Sequence, residues 1–154
     1  MDMGGRIHTN MSQPLMSINK DIVTLAQWLS PAFPVGGFAY SHGLETAIQE
    51  RTIANSQDLQ DWLWDVLDHG SGRNDSILLR AAYACTSSEQ VEQVNKTAIA
   101  VSASRERVLE TQLQGSAFAR TTAAIWGEGA VWDQDAMALC YPVAVGHAAA
   151  HLKF

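Results

Sequence analysis

Two histidines near the end of the sequence, His147 and His151, are four residues apart. On a helix this spacing places both imidazoles on one face, where they could bind one metal ion. The motif lacks the glutamate of HExxH, and no third ligand can be assigned from the sequence. We therefore assign no metal ligand and favour exposed or capping histidines. A small helical metal-binding enzyme that uses His147 and His151 is kept as the alternative.

Other catalytic motifs are absent from the sequence. No GxxxxGK[ST] segment occurs, so binding of GTP or ATP by a P-loop is not expected. No GxSxG nucleophile elbow occurs either. Ser41 and His42 are adjacent, but neighbouring side chains usually point apart, which disfavours a catalytic pair. We predict that the protein is not an enzyme, has no catalytic residue and needs no cofactor.

The composition limits the class of protein. The 154 residues are 47% hydrophobic and 17% charged, which is typical of one soluble globular domain. The net charge of −6 opposes nucleic-acid binding, because phosphates need basic partners. Residues 136–152 are the most apolar stretch, but Pro142 and the two histidines make it a poor membrane span. Cys85 and Cys140 form no CxxC pair and are interpreted as small buried hydrophobes. We expect a cytoplasmic protein without membrane or nucleic-acid partners.

Abundant alanine and short β-branched runs favour helices, so we predict an all-α, single-domain helical bundle. Residues 1–20 are predicted to be disordered and residues 21–154 to form the domain. The clearest helix covers residues 57–68, after Ser56 as N-cap. Its apolar residues follow helical spacing and predict a face in the core; they are Leu59, Trp62, Leu63, Val66 and Leu67.

The other side of this helix is acidic. An ordinary solvated face is the favoured interpretation, and a surface for a basic partner is the alternative; the carboxylates are Asp58, Asp61, Asp65 and Asp68. Trp64 lies off the apolar stripe and is a candidate interface residue.

Further helices are predicted along the rest of the chain. Gly70 and Gly72 should end the helix of residues 57–68, and the next helix starts near Asn74 or Asp75. Ser87 and Gln90 have capping-box spacing and open another. A long helix covers residues 105–126, where Arg105, Glu106, Arg107 and Glu110 suggest pairing within the helix. A last helix should begin near Asp133 and be kinked or ended by Pro142.

The segment from Trp28 to Glu45, WLSPAFPVGGFAYSHGLE, resembles the signature of the UreF family of urease accessory proteins. Three weaker matches follow in the family's order: residues 75–83, residues 104–106 with Gln114 and Gly115, and residues 141–146. The resemblance covers the chain from about residue 22 to residue 146.

This resemblance implies an all-helical, non-enzymatic chaperone subunit that aids GTP-dependent nickel insertion into the urease apoprotein. In that family the F-type protein bridges the D-type and G-type accessory proteins, so these two and the urease apoprotein are the expected partners. Dimers are common in the family, and a homodimer is a further expectation. The missing P-loop agrees with GTP hydrolysis by a separate G-type chain.

The resemblance also suggests which residues bind partners. Those in the signature segment come first: Gly36, Gly37, Phe38, Tyr40, Ser41 and Glu45. Arg105 and Glu106 are second candidates. A Gly-Gly turn exposes backbone to a partner, and tyrosine is a common interface anchor. The alternative is that this loop only packs the first two helices together.

Family members continue with further helices after the segment that resembles residues 141–146. We therefore expect the bundle to lack the family's last helices and to leave apolar surface exposed. A non-functional fragment is the corresponding alternative for function.

Overall fold

A computed structural model describes residues 20–37, 43–127 and 138–154 of the chain. These residues contain helices and no strand, which confirms the predicted all-α class. The helices are α1 (Lys20–Trp28), α2 (Leu44–Gln49), α3 (Ser56–Asp68), α4 (Ser71–Tyr83), α5 (Ser88–Ala100), α6 (Arg105–Trp126) and α7 (Tyr141–Leu152).

The chain divides into two compact units, residues 1–30 and residues 31–154. The described part of the first unit is α1 with the two residues that follow it. The second unit is a bundle of α2 to α7. The disorder predicted for residues 1–20 and the domain predicted for residues 21–154 stay predictions.

Helix α7 forms the core of the second unit. It packs mainly against α4 and α6, and α5 also contacts it. Most of its residues are buried, because small and apolar side chains occur on every side of this helix; the buried ones are Pro142, Val143, Ala144, Val145, Gly146, Ala148 and Ala149.

The start of α7 differs from the prediction. Residues 138–140 are not helical, and Pro142 lies in the first turn of a helix that begins at Tyr141. Proline is tolerated there because the first N–H groups of a helix have no partner inside it. The expectation that Pro142 kinks or ends a helix begun near Asp133 was therefore wrong, while Asp133 itself lies outside the described residues.

Side chains of α5 and α6 hold the start of α7 in place. The fully buried Asn95 accepts a hydrogen bond from the backbone N–H of Cys140 (2.8 Å) and donates one to the carbonyl of Ala138 (3.1 Å). The hydroxyl of Thr111 accepts from the N–H of Tyr141 (3.0 Å). Two backbone donors that α7 cannot satisfy by itself are thus paired with neighbouring helices.

Two glycines let backbone segments approach each other closely. A Cβ atom on Gly146 would clash with the carbonyl oxygen of Leu79 on α4 and would lie 3.0 Å from the Cβ of Ala82. A Cβ atom on Gly115 would clash with the carbonyl oxygen of Leu139. Both contacts are with backbone, which cannot move aside as a flexible side chain can. Any larger residue must therefore separate α7 from its neighbours.

Helix α3 is less buried than its pattern predicted. None of its residues is buried, Trp62 and Val66 are half-buried, and Leu59, Leu63 and Leu67 are exposed. Periodicity reports that a helix has an apolar face, but it does not report whether another element covers that face. The assignment of this stripe to the core was therefore wrong for the described part of the chain.

Capping explains where several helices begin. The side chain of Asn55, rather than the predicted Ser56, caps α3 by accepting from the N–H groups of Gln57 and Asp58. Ser87 caps α5 as predicted. The prediction for Gly72 was wrong, since Gly72 lies in the first turn of α4.

We expect Gly146→Ala to lower the free energy of unfolding by about 1–3 kcal/mol, because the added methyl group overpacks the contact between α7 and α4. Urea denaturation followed by circular dichroism measures the change. Gly37→Ala is the matched control, because among the described residues its added Cβ would meet the Val35 side chain alone, at 3.8 Å. Equal stability of the Gly146→Ala variant and the wild type would contradict the packing described.

Candidate functional site

The signature segment contains two glycines in the left-handed region of backbone conformation. Gly36 has φ +77° and Gly43 has φ +87°, values that residues with a side chain rarely adopt. A Cβ atom built on either would meet no atom of the described chain within 4 Å. Backbone conformation, and not crowding by the described residues, therefore favours glycine at both positions.

The beginning of the same segment packs on the bundle. The ring of Phe33 lies 5.4 Å from the ring of Phe118 on α6, and Phe118 lies 5.8 Å from Tyr141 in an edge-to-face arrangement. Phe118 is fully buried. Such aromatic pairs add about 0.5–1.5 kcal/mol beyond area burial. Phe33 thus packs against α6, whereas the alternative interpretation of the loop placed it between the first two helices.

Three of the predicted site residues, Phe38, Tyr40 and Ser41, lie outside the described residues. Gly36 and Gly37 come immediately before residues 38–42, and Glu45 follows them in the first turn of α2. Gly36 and Glu45 are exposed, and Gly37 is half-buried. The partner-binding role of all six residues stays a prediction.

The second pair of candidates lies at the start of α6. Arg105 and Glu106 are both exposed, and in the described part of the chain neither forms an ion pair. The pKa of Glu106 is lowered by hydrogen bonds from its own backbone N–H and from the Ser104 hydroxyl, so its carboxylate is charged at neutral pH. Ser104 also caps the helix by accepting from the N–H of Arg107 (3.2 Å).

Arg107 takes part in an interhelical network that was not predicted. Its guanidinium lies 2.7 Å from the Glu110 carboxylate on α6 and 3.1 Å from the Asp75 carboxylate on α4. Gln114 donates a further hydrogen bond to Glu110 (3.2 Å). The pairing of Arg107 with Glu110 agrees with the predicted pairing within the helix. The contribution of Asp75 was missed because Asp75 is 32 positions from Arg107 in the sequence. The spacing of Arg107, Glu110 and Gln114 was a signal for the network, because it gives α6 a polar inner face.

A groove of about 370 Å³ lies beside this network. Its walls combine the turn between α3 and α4 with the connection between α5 and α6, and they include His69, Asp75, Leu78, Val101 and Arg107. The charges in the groove belong to the network, since Asp75 and Arg107 bind each other.

The two thiols are both less acidic than a free cysteine. Burial, and next the negative charge of Asp75, raise the pKa of Cys140 to about 11. Burial also raises the pKa of the half-buried Cys85. Both cysteines are free, and both are neutral at pH 7, as expected for small apolar residues.

His147 and His151 lie on α7. His147 is half-buried, and burial followed by the nearby His151 lowers its pKa, whereas His151 is exposed. Within the described ranges no cluster of three or more His, Cys, Asp and Glu side chains is placed to hold a metal ion. Among the same residues no helix is long and apolar enough to cross a membrane.

Fold and surface together define the class: an all-α protein whose candidate functional residues lie on a glycine-containing loop and at helix starts. The family model for UreF matches residues 53–154, and the chain belongs to the UreF family. The signature segment of residues 28–45 precedes the matched range.

Curated relatives agree with this assignment. The chain is 50% identical over 130 residues to the urease accessory protein UreF of Ruegeria pomeroyi, covering 84% of this chain and 57% of the relative. It is 49% identical over 143 residues to the UreF of Roseobacter denitrificans, covering 93% of this chain and 60% of the relative. The chain therefore spans less than two thirds of the length of these relatives. The comparison with solved structures found no match.

We expect Cys85 to react with iodoacetamide at pH 7.5 at least about tenfold faster than Cys140, because the more buried thiol with the higher pKa is less often an accessible thiolate. Mass spectrometry of the labelled chain measures both rates, and raising the pH should accelerate both. The Cys85→Ser and Cys140→Ser variants assign the signals. Equal rates in the folded protein would contradict the burial of Cys140.

Proposed function

We propose that this chain is a non-enzymatic chaperone subunit of urease maturation that works in the cytoplasm. It aids GTP-dependent nickel insertion into the urease apoprotein by bridging the D-type and G-type accessory proteins. The observation that carries the proposal is membership of the UreF family, together with relatives named as urease accessory proteins. Nickel is cargo in this proposal, and nucleotide chemistry belongs to the G-type partner.

In this proposal the signature segment contacts a partner. No described atom lies within 4 Å of a Cβ built on Gly36 or Gly43, which supports this role, because a partner can approach the backbone there without displacing a described side chain. The exposed carboxylate of Glu45 adds a charged group at the same end of α2. Gly37, Phe38, Tyr40 and Ser41 complete the proposed surface.

The exposed Arg105 and Glu106 at the start of α6 form a second proposed contact. They offer opposite charges next to each other, which favours specificity and association rate more than affinity. A homodimer belongs to the same proposal.

We expect Tyr40→Ala to weaken binding to the D-type or the G-type accessory protein by at least about tenfold, since truncation of a buried aromatic anchor often removes more than about 1.4 kcal/mol. Affinity is measured by biolayer interferometry with each purified partner, and circular dichroism checks that the variant remains helical. Ile125→Ala, which truncates an exposed apolar side chain on α6, is the control. Wild-type affinity of the folded Tyr40→Ala variant for both partners would exclude this role.

A further inference from the structure

Helix α3 presents an apolar surface that the described chain covers only in part. Leu59, Leu63 and Leu67 follow each other at intervals of four residues and are 36%, 46% and 55% exposed. Trp64 is 55% exposed and lies three residues before Leu67, so the two are neighbours on the helix surface. These four residues are called the α3 strip.

The α3 strip lies beside the face by which α3 meets α4. A Cβ atom on Gly72, in the first turn of α4, would lie 3.1 Å from the carbonyl oxygen of Val66, which places the Val66 backbone at that contact. Trp62 and Val66 are half-buried, whereas the strip is exposed. A Cβ atom on Gly72 would also lie 3.1 Å from the side chain of Leu67, so α3 meets α4 through Val66 and one edge of Leu67. Leu59, Leu63, Trp64 and the rest of Leu67 stay exposed.

The border of the α3 strip is acidic. Asp61 and Asp68 lie three residues before and four residues after Trp64, so they flank this indole on the helix surface. Asp65 is also exposed, and α3 contains no lysine or arginine to neutralise these carboxylates. The α3 strip is thus an apolar surface with a negatively charged edge.

We propose that the α3 strip binds an amphipathic helix of a partner protein whose apolar stripe is bordered by lysine or arginine. Such helices bind apolar grooves and faces through anchors at intervals of three and four residues. Leucine and tryptophan would supply the buried contact, and Asp61, Asp65 and Asp68 would pair with the basic border.

The negative charge of Asp61, Asp65 and Asp68 favours a basic helix over two other occupants, a second copy of α3 and an anionic membrane surface. A second copy of α3 would bring aspartates close to aspartates, and like charges across an interface oppose binding. An anionic membrane surface would repel the same edge, because membrane-bound helices of this kind carry basic residues. A basic helix is the occupant that the negative edge attracts.

The proposal can be tested with a synthetic helical peptide that has a leucine stripe bordered by lysines, labelled for fluorescence anisotropy. We expect binding that weakens with salt, and Leu63→Ser should weaken it at least about tenfold. The double variant Asp61→Asn/Asp65→Asn should weaken it several-fold and flatten the salt dependence. A peptide with glutamate in place of lysine should not bind.

The chain offers matched controls. Leu113→Ser replaces a leucine on α6 that is 56% exposed, and Glu50→Gln neutralises an exposed carboxylate outside α3. Both should bind the basic peptide like the wild type. Circular dichroism of each variant checks that the helices remain.

Several results would overturn the proposal. One is equal binding of the acidic and basic peptides, and another is no effect of Leu63→Ser on peptide binding. Sedimentation that shows a dimer dissolved by Leu63→Ser would assign the strip to a second copy. Binding by this chain but not by the longer relative from Ruegeria pomeroyi would show that the relative's own residues cover the strip. None of these experiments uses a D-type or G-type protein, so their outcome is separate from that of the function proposed above.

Discussion

The backbone of α7 and of the residues just before it lies in close contact with α4 and α6, which pack on it more extensively than α5 does. Gly146 lets α7 approach the carbonyl oxygen of Leu79 on α4, and Gly115 lets α6 approach the carbonyl oxygen of Leu139 just before α7. Protein interiors are close-packed, so a single added methyl group at such a point moves a whole helix. Because α4 and α6 both pack on α7, this contact also sets the distance between them.

The same core supports the candidate partner surface. The aromatic series from Phe33 through Phe118 to Tyr141 connects the beginning of the signature segment to α6 and α7. A few residues later, no atom of the described chain lies within 4 Å of a Cβ built on Gly36. One end of the segment thus has a structural role, while the other offers backbone to the surroundings.

Local signals in the sequence predicted some features well and others poorly. The all-α class, the cap at Ser87 and the bounds of α6 follow from alanine content, caps and breakers, which act within a few residues. The start of α7 was missed because proline is both a helix breaker and a good first-turn residue. The contacts that depend on distant residues, such as Arg107 with Asp75, could not be read from spacing. The exposure of Leu63 likewise depends on what covers it, which no local pattern states.

A core around the buried helix α7 supports the signature segment, for which we propose contact with a partner. Hydrogen–deuterium exchange of the chain, alone and with a purified D-type or G-type accessory protein, tests both parts in one measurement. We predict that the amides of α7 exchange slowest in every sample, and that a partner slows exchange in residues 36–45 while leaving α5 unchanged. Fast exchange throughout α7 would contradict the packed core around this helix. Protection by both partners only outside residues 36–45 would contradict the proposed contact of the signature segment.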